Sequence, residues 1–422
     1  MECKLFDNTE YIITDLSETC DSLSDFRKIT VLPLKLKYIY KKELHDNHDL
    51  IRSELIQKRI YDYIKYCNDL ISFECCNYKL CSLEILDGCS NLTKINCENN
   101  KLTSLKGIEK CSNLEYLNIS NNKLKLCNEI SNCIKLEYID CSYNNIKSIE
   151  ELGSCLELTV VKCQYNPIKS LTGLEMCIEL QELYCNNTEI KSLKEIEGCI
   201  NLTCINCSHN SINNLNCLIN LVKCEYLNIS CCLLDTLQGL ENIKEIDFIN
   251  CEFNRLTSFE GLNNVTIISE LKCNNNNIND ISKLSNLTEL IHFECYYNNI
   301  TTLKNIKHIT TLSKLLCYHN ELTDIDCFGD TNEITYININ GNKCKSLDGL
   351  YNCTKLKELH CTNNQITTTK GLKNSKKLQI LNCSNNLIKT LEGWKLLDEI
   401  LTNANYINCK NISTIIILCI LS

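Results

Sequence analysis

The chain has 422 residues, a formal net charge of −9 and 34 cysteines, but only 12 glycines and two prolines. The negative charge gives no general attraction to phosphate backbones or anionic lipid, which argues against a nucleic-acid partner. The length exceeds what one ordinary globular core is expected to fill, so several domains or a repeat array are predicted.

Residues 1–69 precede the regular part of the sequence. The opening residues lack the basic and apolar regions of a secretory signal, so we expect a protein of the cytoplasm. An apolar stripe with helical spacing consists of Ile56, Ile60, Tyr63, Ile64 and Cys67. We therefore predict a capping helix at 49–67. The segment before it, which contains Pro33, is either a degenerate repeat or a small separate module, and its role is open.

From Leu70 to Glu399 the sequence divides into fifteen units of 22 residues without insertion or deletion. Each unit has the form L-x-x-L-x-C-x-x-N-x-I/L-x-x-L-x-G/x-L-x-x-C-x-x, and a position within it is called a column here. Column 4 is apolar in all fifteen units, and column 9 is asparagine in twelve, with Tyr78, Thr188 and Cys232 as exceptions. Such a period indicates a repeat architecture.

The apolar spacing changes within each unit. Columns 4 and 6 alternate with polar neighbours, which is the period of a strand with one buried face. Columns 11, 14, 17 and 20 are spaced by three, which suits 3₁₀ turns. Each coil therefore turns its apolar columns inward, and neighbouring coils have to cover them.

These motifs resemble the leucine-rich-repeat family, in particular the 22-residue class of bacterial internalins and of a protein-phosphatase-1 regulatory subunit. The resemblance covers residues 70–399. It implies an α/β repeat solenoid: a right-handed horseshoe with a concave parallel β-sheet and a convex side of 3₁₀ or extended segments. The cysteine-rich composition is similar to repeat arrays of large DNA viruses and protists.

The repeated polar residues have structural explanations. A column-9 asparagine can donate and accept at the end of each strand, so we predict a stacked ladder rather than a catalytic role. Twelve cysteines fall in column 6 and seven in column 20, where this family places aliphatic residues. We predict reduced core thiols. Disulfides or a metal–thiolate ladder are the alternatives, but the spacing suits neither.

Columns 3, 5, 7 and 8 are predicted to face outward and to carry the function. Their aromatic residues form two groups, one of Tyr116, Tyr138, Tyr143, Tyr165 and Tyr184, the other of Phe248, Phe253, Tyr296, Tyr297 and Tyr318. Aromatic side chains dominate binding hot spots, so these ten residues are the predicted protein-binding site. The competing interpretation is that aromatic residues favour strands and pack on one another.

Histidines 209, 292, 319 and 360 are also predicted to face outward, but they lack the paired spacing of a metal site. We therefore predict no metal and no cofactor. The sequence also contains neither a G-x-S-x-G motif nor a phosphate-binding glycine loop, and no catalytic residue is predicted.

The register fails after Glu399. Ile407-Asn408-Cys409 imitates columns 4 to 6, but four residues later than the period predicts. Residues 400–422 are predicted to be a C-terminal cap, with a membrane or partner anchor at 412–421 as the alternative. The uninterrupted apolar stretch within it, 415–421, is too short to span a bilayer, and no membrane partner is predicted.

The predicted function is a non-catalytic scaffold, a monomer that binds a protein partner on its concave face. The alternatives are an adaptor or substrate-receptor subunit of an enzyme complex such as a ubiquitin ligase, and a phosphatase regulatory subunit. An enzyme is not expected, because the flanks outside the array are too short for most enzyme domains.

Overall fold

The computed structural model describes residues 69–329 and 332–388, together with the backbone of two short strands at 31–33 and 406–408. The capping helix predicted at 49–67 and the apolar tail at 412–421 lie outside the described residues. The chain forms two compact units, residues 1–211 and residues 212–422, which are taken in turn.

The first unit contains eight strands. They are β1 (Val31–Pro33), β2 (Ser72–Glu74), β3 (Lys94–Asn96), β4 (Tyr116–Asn118), β5 (Tyr138–Asp140), β6 (Val160–Lys162), β7 (Glu182–Tyr184) and β8 (Cys204–Asn206). Each pairs in parallel with the next, and from β2 onward the register advances by one repeat, as in Ile95 beside Leu117. The predicted parallel sheet, with one strand per repeat, is confirmed.

The second unit contains nine strands. They are β9 (Tyr226–Asn228), β10 (Glu245–Asn250), β11 (Ile267–Lys272), β12 (His292–Glu294), β13 (Lys314–Leu316), β14 (Tyr336–Asn338), β15 (Glu358–His360), β16 (Ile380–Asn382) and β17 (Tyr406–Asn408). All pair in parallel in chain order. Ile407 pairs with Leu381, so the delayed motif that follows the array takes the place of column 4.

Short 3₁₀ helices follow many of the strands, as the spacing of three predicts. In the first unit they are Glu84–Leu86, Asn128–Asn132, Glu150–Ser154 and Lys194–Ile196. In the second unit they are Asn216–Leu218, Ser282–Asn286, Lys304–Ile306, Asp348–Leu350 and Lys370–Leu372. The column-13 side chain often accepts the first N–H of this turn, as Ser82 does from Glu84.

The apolar columns form the core, and column-6 cysteines belong to it. Cys97, Cys207 and Cys317 have no exposed surface. Burial raises the pKa of the Cys163 thiol to about 12 and that of Cys97 well above its usual value, because a thiolate cannot be solvated there. Cys97 and Cys163 are thiols and not disulfide partners. The prediction that the cysteines of columns 6 and 20 fill the core as small apolar side chains is confirmed.

Column-9 asparagines form the predicted ladder. The Asn122 Nδ2 donates to the carbonyls of Cys97 and Ile119, each at 3.0 Å, and its Oδ1 accepts the N–H of Leu102 at 2.9 Å. One amide thus joins two coils and satisfies backbone groups that no strand partner reaches. Where column 9 is Thr188, the hydroxyl reaches Cys185 O but makes a smaller set of bonds.

Candidate protein-binding face

In each unit, columns 3, 5, 7 and 8 form a surface that we call the strand face. One part of the prediction for it was wrong, because column 7 is not generally free of structural duty. Ser120 and Ser142 are buried, and their hydroxyls donate to the column-5 side chains of Asn118 at 2.8 Å and Asp140 at 2.6 Å. Where columns 5 and 7 hold small polar residues, these residues therefore fix the end of the strand, and only columns 3 and 8 are left to form the face.

A continuous row of rings and ammonium groups crosses the strand face of the first unit. Tyr116 and Tyr138 stack with ring centroids 4.5 Å apart and an interplanar angle of 5°. Lys94 Nζ lies 5.4 Å from the centroid of the Tyr116 ring. Lys162 Nζ lies between two rings, 5.4 Å from Tyr138 and 5.3 Å from Tyr184. The parallel register puts one column-3 side chain above the next, so the stacking follows directly from the repeat.

Carboxylates hold this row in place. Lys94 forms an ion pair with Glu74 at 2.7 Å, and that hydrogen bond raises the pKa of Lys94. The Tyr184 hydroxyl donates to Glu182 at 3.1 Å. Partial burial, with the neighbouring Cys204, raises the pKa of Tyr184, so the phenol stays neutral over the physiological range. The row is therefore a set of fixed, half-buried aromatic side chains.

Column 8 has a left-handed backbone in every repeat from Asn77 to Asn385. Asparagine is the commonest residue there, as expected for a conformation that it tolerates. Tyr143 and Tyr165 take φ values of 53° and 56° instead, stack at 4.3 Å, and are 52% and 43% exposed. Bulky side chains in this conformation are uncommon, and the fold does not require them because Asn121 serves the same turn.

The second unit repeats the first arrangement. Tyr226 and Phe248 of column 3 stack at 4.6 Å with an angle of 8°. Lys272 Nζ lies 5.6 Å from the Phe248 ring and forms an ion pair with Glu270 at 3.1 Å. An aromatic ring, a lysine and a carboxylate are thus combined here as they are at Tyr116, Lys94 and Glu74.

Two adjacent stacks form a cluster of four rings in the same unit. Tyr296 and Tyr318 of column 7 stack at 4.2 Å, and Tyr297 and His319 of column 8 stack at 4.6 Å. Each column-7 ring also meets column-8 rings edge-on, at 5.9 Å for the Tyr296–Tyr297 pair. Tyr297 has the same strained φ, 53°, as Tyr143 and is 49% exposed. In these two repeats both column 7 and column 8 are aromatic.

The structure places all ten predicted aromatic residues on the strand face, five in each unit, and all of them except Phe253 make ring or cation contacts with neighbouring repeats. Phe253 is 54% exposed with φ 53° and stands apart from these stacks. Sequence reasoning missed Tyr226 and Tyr336. Both occupy column 3, so a search by column rather than by cluster would have found them.

The outward histidines are used locally. His319 stacks on Tyr297, and His360 Nε2 lies 2.7 Å from Glu358. Within the described residues, no group of three or more histidine, cysteine, aspartate or glutamate side chains is arranged to hold a metal ion. The same part of the chain contains no helix of the length and apolarity that a bilayer crossing demands.

Comparison with known proteins agrees with this architecture. The family model for leucine-rich repeats in two copies matches residues 134–176 and 354–396. No curated protein sequence matches the chain.

Three solved structures share the fold. A leucine-rich-repeat protein of Leptospira interrogans has 22% identity and a TM-score of 0.72, and the match covers 94% of this chain and 99% of that one. The functional domain of InlJ from Listeria monocytogenes, described as including a cysteine ladder, has 23% identity and a TM-score of 0.67, with coverage of 81% and 73%. The plant peptide hormone receptor RGFR1, in complex with RGF2, has 17% identity and a TM-score of 0.58, with coverage of 92% and 80%.

At these identities the likeness establishes the fold and nothing finer. The parallel strands at 22-residue intervals, the asparagine ladder and the two matches to the family model agree with one another. The chain has the leucine-rich-repeat fold, and two stretches of it match the family model.

Proposed function

We propose that this protein is a non-catalytic scaffold that binds a protein partner on its strand face, through the aromatic residues of columns 3, 5, 7 and 8. Solenoids of this family use their extended sheets as binding surfaces. The plant peptide hormone receptor RGFR1, which shares the fold, was solved in complex with RGF2. The finer versions, an adaptor of a ubiquitin ligase or a regulator of a phosphatase, differ only in the identity of the partner.

The observation that carries the proposal is the strain at column 8. A bulky residue in the left-handed region costs about 1–2 kcal/mol relative to its preferred conformations. Tyr143, Tyr165, Phe253 and Tyr297 accept that cost while about half of each side chain is exposed to solvent. Stacking returns about 0.5–1.5 kcal/mol for a pair, which does not exceed the combined strain of two residues. A partner that buries these rings supplies the missing stabilisation.

The proposed compartment is reducing, and the proposed state is a monomer. Buried thiols such as Cys97 and Cys163 are held in their protonated form, and the fold uses them as apolar side chains. Oxidation would put polar groups into the core. The absence of nucleic acid from the proposed partners follows from the net charge of −9.

The experiment compares the full chain with the double variant Tyr143→Asn and Tyr165→Asn in quantitative pull-downs from the native cell extract. Asparagine occupies column 8 with φ 55° at Asn121, so the variant keeps the turn. The matched control is Tyr351→Asn, which removes an exposed tyrosine that lies off the strand face. We expect a partner recovered by the wild-type chain to be lost from the double variant and kept by the control. Equal recovery by all three chains would contradict the proposal.

A further inference from the structure

A second feature of the first unit, at the opposite end of the strands from column 8, is a ridge of exposed aliphatic side chains. Column 21 precedes each strand, and in four consecutive repeats it holds Ile134, Leu156, Ile178 and Ile200. Each is between 50% and 54% exposed. In preceding repeats the same column holds serine, so the fold does not need an apolar residue there.

The four side chains are neighbours because the coils are in register on both sides of them. Column 20 is buried cysteine in each of these repeats, and column 1 of the next coil is buried leucine. Just beyond, the N–H of Thr159 donates to Glu137 O and that of Gln181 donates to Thr159 O, both at 2.8 Å. Coils paired in this way lie about 4.8 Å apart, so the ridge is about 14 Å long. Met176, 64% exposed, widens it.

The ridge has an acidic border. Exposed carboxylates next to it in the chain are Glu137, Glu157, Glu175, Glu179 and Glu197. Glu175 accepts the Gly173 N–H at 2.7 Å. Within residues 69–329 none of the five forms an ion pair. The one adjacent lysine, Lys135, donates to Asn113 on the preceding coil at 3.0 Å.

An apolar strip of this kind on a water-exposed surface marks a contact site when it is continuous and has a polar rim. The charge of the bordering residues indicates the kind of partner, because complementary charges favour association and like charges oppose it. Anionic lipid is repelled by carboxylates on both borders. A second copy placed by a two-fold axis would set the same carboxylates against each other. A segment with aliphatic residues on one side and cationic residues beside them satisfies both parts of the surface.

We propose that the column-21 ridge binds an amphipathic, lysine- or arginine-rich segment of a partner protein, and that this site is separate from the aromatic strand face. About 14 Å corresponds to between two and three turns of helix, so three or four aliphatic side chains of such a segment reach the ridge. The glutamates then pair with the cationic groups on either side. An amphipathic helix that lays its apolar face on a hydrophobic surface is a recurring mode of peptide recognition.

The test uses the full chain and two synthetic peptides with the same leucine pattern, one with lysine and one with glutamate at the polar positions. Fluorescence anisotropy gives the Kd of each. The ridge variant is I134S/L156S/I178S/I200S, which installs the residue found at Ser90 and Ser112 of the same column. The border variant is E157Q/E179Q/E197Q, which changes only exposed groups and serves if the ridge variant fails to fold.

We expect the leucine–lysine peptide to bind the wild-type chain and to lose at least about tenfold in affinity with either variant. Three exposed acidic residues of the second unit provide the charge-matched control, E225Q/E245Q/D247N, which we expect to leave the Kd unchanged. The Y143N/Y165N variant is also expected to bind the peptide normally, so the result does not depend on the proposed aromatic face.

Several results would overturn the inference. Equal affinity of the wild-type chain and the ridge variant would remove the ridge from the interaction. Equal loss in the charge-matched control would reduce the binding to general attraction by an acidic protein. Equal binding of the leucine–glutamate peptide would exclude the acidic border as a selector. Self-association in sedimentation velocity that the ridge variant abolishes, without peptide binding, would assign the ridge to a second copy of the chain.

Discussion

Replacing Asn144 by alanine tests the asparagine ladder where its contacts are complete. The Asn144 Nδ2 donates to Ile119 O at 3.0 Å, and to Cys141 O and Ser142 O at 3.1 Å. Its Oδ1 accepts the Leu124 N–H at 2.9 Å. Alanine removes all of these contacts and adds no competing group.

The expected magnitude follows from what remains bonded after the substitution. Ile119 O keeps the Asn122 amide at 3.0 Å, and Cys141 O keeps the Asn166 amide at 3.0 Å. The buried Leu124 N–H loses its bond to the side chain, and an unsatisfied group of this kind costs about 1–3 kcal/mol. With about 0.5–1 kcal/mol for the weakened carbonyl pairing, we expect the free energy of unfolding to fall by about 1.5–4 kcal/mol.

Chemical denaturation followed by far-ultraviolet circular dichroism gives the global value. Amide hydrogen exchange at Leu124 gives the local one, because a repeat solenoid can open at one coil while the others hold. The control is Asn145→Ala, one residue further on, whose exposed side chain is replaced while its backbone N–H still donates to Leu124 O at 2.8 Å. A loss below about 0.5 kcal/mol in Asn144→Ala, equal to that of the control, would refute the structural role of the ladder.

Three further outcomes follow from the core. Gly107→Ala should prevent stable folding, because the added Cβ would lie 2.0 Å from Leu83 O. Gly88→Ala has open space around its Cβ and should cost only about 1 kcal/mol of backbone strain. Similar melting temperatures of the two variants would contradict this difference. Thr188→Asn should raise the free energy of unfolding by about 1 kcal/mol by completing the ladder, measured by the denaturation midpoint. Stability should be constant just below pH 9.0, the ordinary pKa of a thiol, and should fall as the pH rises toward about 11, the raised pKa of Cys177. The reason is that only the unfolded chain ionises the core thiols in that window. A denaturation midpoint that does not change between pH 9.0 and about 11 would contradict the assignment of these thiols to the core.

Most of the fold could be predicted from the sequence because a 22-residue period fixes which residues share an environment. Column 4 had to be buried, so Ile95 and Leu117 had to be neighbours, and the structure pairs them directly. The delayed motif around Ile407 was found from the same pattern. The strand face was predicted less well. Ser120 is turned away from water by its hydrogen bond to the Asn118 side chain, and the period of the sequence does not encode such a bond.

The sequence by itself determined the coil, its buried columns, the ladder and the two groups of aromatic residues, because each of these repeats at a fixed interval. Only the tertiary structure decided how those aromatic residues are held. Column 8 has positive φ because the chain turns there in every coil, and the strain at Tyr143 and Tyr297 is visible only when that conformation is known. Likewise, Ile134 and Ile200 are an exposed ridge and not core, because the last turn of each coil directs column 20 inward and column 21 outward.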